Sequence, residues 1–188
     1  SEIVVAEIDP GVTEIARVTL GLQGSARIEA YDEDARTLMA SLEDGEPYDL
    51  IFGDAFNDFS VPYHLTTLEF TQLVDRLLAP DGLYVANIVD GGGRGSFMRA
   101  FVRTQKAVFE HVAVIPTISS WRSAPRTTWV VVASQEPLEL DHITSPGAPL
   151  PQDELDEYLA MEPPLILTDD YVPVDNLLAP VFVDSEQG

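Results

Sequence analysis

Apolar blocks of two different periods take turns along this chain. Residues 3–8 (IVVAEI) are a short run rich in β-branched side chains, and Asp9 and Pro10 follow at once. That order predicts a strand and then a helix start. Val12, Ile15, Ala16 and Leu20 recur near helical spacing, as one apolar face. Residues 26–31 (ARIEAY) alternate as a second strand, and Ala35, Leu38, Met39 and Leu42 mark one side of a second helix. A third strand, 48–53 (YDLIFG), ends at Asp54. After a polar loop comes the clearest helix, 66–82 (TTLEFTQLVDRLLAPDG). Thr66 and Glu69 are spaced as its capping box, and Pro80 with Gly82 stops it. Residues 82–89 predict a fourth strand, and 96–109 a fourth helix. Segments 111–116 (HVAVIP) and 127–134 (TTWVVVAS) follow as two strands with no helix between them, so they are expected to pair antiparallel.

The order β-α-β-α-β-α-β-α-β-β implies an α/β fold, a mostly parallel sheet covered by helices. From residue 135 the composition shifts to Pro, Asp and Glu, with one short helix near 152–161 expected to be an acidic surface face. The expected division is a Rossmann-like nucleoside-binding domain over 1–134 and an acidic, proline-rich extension over 135–188 that packs on it. In open parallel sheets, ligands sit outside the carboxyl ends of the strands. Three such ends carry acids here: Glu7 with Asp9, Asp32 with Asp34, and Asp54 with Asn57 and Asp58. Three acids in successive strand–helix junctions make a candidate site converging on one pocket. The plain alternative for Glu7 and Asp34 is a strand-end acid and a helix cap, and Asp9 reads as a cap.

Composition narrows the function. Asp and Glu number 32 against 10 Lys and Arg, a formal net charge of -22. A field of that sign repels nucleic acid phosphates and acidic lipid surfaces and attracts polycations, so no nucleic-acid partner is expected. A solubilising acidic surface explains the same charge. No cysteine is present, which excludes disulfides and thiolate chemistry. His64, His111 and His142 lack metal-ligand spacing, so no metal is expected. No apolar run approaches the roughly 18 residues of a bilayer span, so no direct membrane contact is expected from this segment.

The glycine-rich stretch 89–96 (VDGGGRGS) lies between a strand and a helix, where phosphate cradles occur. No Gly-Lys-Ser/Thr follows, and the next strand does not end in an acid about 20 residues on. It reads as a flexible, structural junction. The acid that fits a dinucleotide pattern is Glu7, whose glycine loop would lie before residue 1. Trp121 and Trp129 read as core and loop anchors, and His64 as structural.

The stretches VVAEIDPGV (4–12), DEDARTLM (32–39), YDLIFGDAFNDFSVPYHLTTLEF (48–70) and LTDDYVPVDNLL (167–178) together resemble the spermidine synthase-like proteins. These are aminopropyltransferases and relatives on the class I S-adenosylmethionine methyltransferase fold. The resemblance implies that fold, with its first strand and glycine-rich loop absent from this chain. It implies transfer of an aminopropyl group from decarboxylated S-adenosylmethionine, or use of S-adenosylmethionine itself, with a small polyamine such as putrescine as acceptor. Glu7 would bind the ribose hydroxyls with Ile8 against the adenine. Asp34 would meet the adenine amino group with Ala35 beside it, and Asp54 would face the sulfonium side chain. Asn57, Tyr63 and Asp170 would line the acceptor site, and Asp169 is a second acid of that late segment. A cytoplasmic location, a homodimer, and fusion to a membrane-spanning half in the natural protein are compatible with the resemblance.

One position departs from the pattern. The second Asp of the family's Asp-x-x-Asp motif is its base, and here Asn57 stands there, with Asp58 one place later. Asparagine takes no proton at neutral pH. Either Asp58 or Asp54 serves as base, or the reaction is methyl transfer, or the domain binds its ligand without turnover.

Overall fold

Parallel pairing organises the start of the chain. In this computed structural model, which describes residues 2–22, 27–55, 61–144 and 147–185, strand β1 (Ile3–Ala6) pairs with β2 (Ile28–Tyr31). Helix α1 (Pro10–Val18) joins them, and α2 (Ala35–Ser41) follows β2. Asp9 caps α1 by accepting from the Gly11 N–H at 2.8 Å, the role its sequence position suggests. These elements lie in one compact unit, Ser1–Glu46, and the rest of the chain forms a second, Pro47–Gly188.

The first unit buries little. Of the expected face, Val12 and Ile15 of α1 and Leu20 just beyond it are exposed and Ala16 is half-buried, while Thr13 is the helix's buried residue. The apolar face expected from their spacing therefore exists but is not core.

The second unit holds a four-stranded sheet in the order β3-β4-β6-β5. Strand β3 (Tyr48–Gly53) runs parallel to β4 (Leu78–Asp90), and β6 (Thr127–Ser134) is antiparallel to both β4 and β5 (His111–Pro116). The late antiparallel hairpin is thus as expected, with β6 on the inside. Its apolar run suits that place, since Trp129 and Val131 through Ser134 are buried. Helices α3 (Leu68–Leu77), α4 (Ser96–Lys106), α5 (Gln152–Ala160) and α6 (Val174–Ser185) complete the unit. Phe97, Met98, Phe101 and Val102 of α4 are almost fully buried.

Several local expectations change. The cap of α3 is Thr67, whose Oγ1 accepts from the Phe70 N–H, while Thr66 Oγ1 donates to the Tyr63 carbonyl. Glu69 does not close a capping box; it accepts from the Asp169 N–H at 2.9 Å. Helix α3 ends at Leu77, because Leu78 already pairs with Tyr48 of β3. The register then slips between Tyr48 and Leu50, and at Gly82 the Tyr48 carbonyl passes so close that a Cβ would meet it at 2.9 Å.

The glycine stretch is structural but tightly packed. A Cβ on Gly92 would run into the Trp121 carbonyl, and the Gly92 N–H donates to the Ala124 carbonyl at 3.0 Å. Helix α5 is more than an acidic face: it buries Leu155, Tyr158 and Leu159. Tyr158 joins Trp121 and Trp129, with ring centroids 5.0–5.6 Å apart, so the two tryptophans anchor core and loop as expected. The extension from 135 onward lies within the second unit, tied by the Leu150 N–H to the Val114 carbonyl and the Leu167 N–H to Thr104 Oγ1.

Candidate active site

Each candidate acid stands where its strand ends. In the first unit the register pairs Ala6 with Tyr31, which sets Glu7 and the 32–34 turn at the same, carboxyl end of β1 and β2. The Glu7 N–H donates to the Tyr31 carbonyl at 3.0 Å, and Glu7 Oε1 accepts from the Asp9 N–H at 2.9 Å. Ile8 beside it is 73% exposed. Asp34 caps α2, accepting from the Thr37 N–H at 3.1 Å, and Ala35 opens that helix. These contacts are those of the plain reading, a strand-end acid and a helix cap. Both carboxylates are held in place by backbone donors at one end of one sheet.

In the second unit Asp54 follows β3 directly. Gly53 pairs with Ala86, so the next residues along, Asp54 and Asn87, lie side by side, and Asn87 Nδ2 donates to Asp54 Oδ1 at 3.0 Å. Asn87 gave no sign of this in the sequence, because only the register brings it to the acid. Asn57 and Asp58 lie outside the described residues. Among the described residues no three His, Asp or Glu side chains gather as a metal-ligand set.

Tyr63 sits in a 3-10 turn, Tyr63–Leu65, edge-on to His64 with centroids 5.6 Å apart. It lines a small cleft together with Val61 and residues 172–176, and the acid in that cleft is Asp175. Asp170 is exposed in the turn between Thr168 and Tyr171 and does not line the cleft. Asp169 instead accepts from Thr67 Oγ1 at 2.7 Å. The late acidic segment is thus docked on the start of α3.

A further acid, Asp90, ends β4 fully buried. Its carboxylate accepts from the Gly91 N–H at 2.7 Å and the Met98 N–H at 2.8 Å, serving the first turn of α4. Burial pushes its carboxyl up to about 6, and the two backbone donors only partly offset that. Its partners make it structural.

The strand–helix alternation, with acids at the carboxyl ends of parallel strands, is that of a Rossmann-like α/β fold of the methyltransferase type. A probable spermidine synthase of Corynebacterium glutamicum shares it, with a TM-score of 0.72 and 23% identity over 88% of this chain and 63% of that one. Human methyltransferase-like protein 13, solved with SAH, gives 0.59 at 24% identity over 94% and 78%. A spermidine synthase solved with the transition-state analogue AdoDATO gives 0.53 at 17% over 86% and 57%.

By sequence, the chain is 40% identical over 85 residues to a polyamine aminopropyltransferase of Vibrio vulnificus, covering 44% of this chain and 28% of that protein. It is 31% identical over 104 residues to a probable polyamine aminopropyl transferase of Bifidobacterium longum, covering 55% and 22%. No family model matches the chain. The matches thus span about a quarter of the length of these relatives. The resemblance to the spermidine synthase-like proteins stands, in sequence over part of the chain and in fold over most of it.

Proposed function

We propose that the protein transfers an aminopropyl group from decarboxylated S-adenosylmethionine to a small polyamine such as putrescine, in the cytoplasm. The observation that carries this reading is Asp54, a strand-end carboxylate oriented by Asn87 Nδ2 at 3.0 Å, in a chain similar to two polyamine aminopropyltransferases. An acceptor-only carboxylate fits a reaction whose partners, a sulfonium and an ammonium, are both cations. The co-substrate supplies a methylene carbon bonded to sulfur, and its transfer to the amine nitrogen releases a neutral thioether.

A primary amine with a pKa of roughly 10 is protonated at neutral pH and must lose that proton to attack carbon. Asp54 is assigned to take it, with Asp58 as the second carboxylate and Asn57 as a hydrogen-bonding partner of the acceptor. Asn87 fixes the Asp54 rotamer, leaving the other carboxylate oxygen for the substrate. Glu7 and Ile8 are assigned to the ribose and adenine of the nucleoside, and Asp34 and Ala35 to the adenine amino group.

A second reading, methyl transfer from S-adenosylmethionine, draws on Asn57 and on the fold shared with methyltransferase-like protein 13. Product analysis of the intact protein by mass spectrometry separates the two. Incubation with putrescine and the decarboxylated co-substrate is expected to give spermidine and methylthioadenosine. Methylated product from S-adenosylmethionine, with no methylthioadenosine from the decarboxylated form, would move the assignment to the second reading.

A further inference from the structure

Two turns of the second unit are bolted together beside Tyr63. The first runs through 61–67, where the Leu65 N–H donates to the Pro62 carbonyl and the Thr66 N–H to the Tyr63 carbonyl. The second runs through 167–176. There Thr168 and Tyr171 exchange backbone hydrogen bonds at 3.0–3.1 Å, and the Val174 N–H returns to the Val172 carbonyl across Pro173. Three cross-links join them: the Leu68 N–H to the Leu167 carbonyl at 2.7 Å, Thr67 Oγ1 to Asp169 Oδ1 at 2.7 Å, and the Asp169 N–H to Glu69 Oε2 at 2.9 Å.

Between the turns lies the cleft, of about 190 Å³, walled by Val61, Val172 and Pro173, with Tyr63, Asp175 and Asn176 as its polar groups. Its size falls below the roughly 300–1,000 Å³ of pockets that take drug-sized ligands, so it suits a short chain and not a nucleoside. Its chemistry is that of an aliphatic cation's site: apolar walls for methylenes, a carboxylate for an ammonium, and a phenol ring whose face attracts cations. Among the described residues no cationic side chain lines it.

We propose that this cleft binds one ammonium end of a short aliphatic polyamine, with Asp175 as counter-ion, Tyr63 and Asn176 as polar partners, and Asp169 as the positioning residue that locks the two turns. The assignment rests on the amine-acceptor reading above and adds residues that the late segment's obvious acid pair, Asp169 and Asp170, did not suggest.

The test titrates the chain with 1,4-diaminobutane at about 0.15 M salt, where long-range attraction to the acidic surface is largely screened. Calorimetry is run on the natural sequence, Asp175→Asn and Asp170→Asn, with circular dichroism as the folding control. Saturable binding is expected, weakened about tenfold or more by Asp175→Asn and less than about twofold by Asp170→Asn. Butane-1,4-diol, which has the same stem and no charge, is expected not to bind. No saturable binding, equal binding by Asp175→Asn, or equal loss in both variants would each overturn the assignment. Binding that survives Asp175→Asn removes this cleft while leaving the amine acceptor standing. Binding lost in Asp175→Asn, with no aminopropyl product from the intact protein, keeps the cleft and removes the reaction.

Discussion

Asp54 and Asp90 put one residue type in two opposite surroundings, one exposed and one buried. Asp54 is exposed at a strand end, where one of its oxygens accepts from the Asn87 amide. Replacing it with Asn keeps the Asn87 contact and removes the proton acceptor of the proposed reaction. Asp54→Asn in the intact protein is therefore expected to lower the rate of product formation about a hundredfold or more at unchanged thermal stability, read by product assay and calorimetry. Asp90 spends its carboxylate on α4 in a dry site. Its folded pKa of about 6 lies above the ordinary 3.8. The folded state thus holds the proton more tightly, and stability falls as pH rises from about 4 to 6, by about 3 kcal/mol from this group. Urea midpoints at pH 4.5 and 7 are expected to differ less in Asp90→Asn than in the natural sequence. Residue identity in the sequence did not separate the two settings: both acids end apolar runs, and burial alone tells them apart.

At the scale of elements, two arginines fasten the carboxyl end of α5 to α4. Arg99 donates from Nε to the Tyr158 carbonyl at 3.0 Å and from Nη2 to the Gly93 carbonyl at 2.7 Å, and its guanidinium lies 4.5 Å over the Tyr158 ring. Arg103 donates to the carbonyls of Leu159, Glu162 and Pro163. Burial lowers its pKa, and the Glu162 carboxylate acts against that shift. Cations at a helix carboxyl end satisfy its orphan carbonyls and its dipole together. Arg99 is 2% exposed, so Arg99→Met takes the guanidinium donors from the Tyr158 and Gly93 carbonyls and the ion pair from Glu162, which keeps only its Ser96 hydroxyl donor among the described residues. A loss of about 2–4 kcal/mol in urea unfolding is expected, with Arg99→Lys recovering only part, because an ammonium lacks the planar fork. Thr67→Ala removes the α3 cap and the Asp169 bond at once, and an exposed cap alone is worth about 1 kcal/mol; a larger loss is expected here. The elements themselves were mostly readable. Strand β3, both late strands and the starts of α4 and α5 fall at the residues their patterns indicate. The helix Val174–Ser185 was not expected, since the chain from 135 onward read as an acidic, proline-rich extension with one short helix near 152–161.

For the whole molecule, 32 acids against 10 bases leave self-repulsion as a standing cost of compaction. Raising salt from about 0.01 M to 0.5 M contracts the Debye length from roughly 30 Å to under 10 Å, so the melting temperature is expected to rise, as calorimetry at the two concentrations would show. Among the described residues no helix is long and apolar enough to cross a membrane. By itself the sequence determined the alternation of strands and helices, the acids at the strand ends, the caps at Asp9 and Asp34 and the charge, because backbone propensity, period and composition are local properties. Only the tertiary structure decided that β6 lies inside the sheet, that Asn87 meets Asp54, that Asp175 and not Asp170 lines the cleft with Tyr63, and that most of the α1 stripe stays exposed. Those outcomes depend on which surfaces come together across long stretches of chain, and periodicity reports that a face is apolar without saying what covers it.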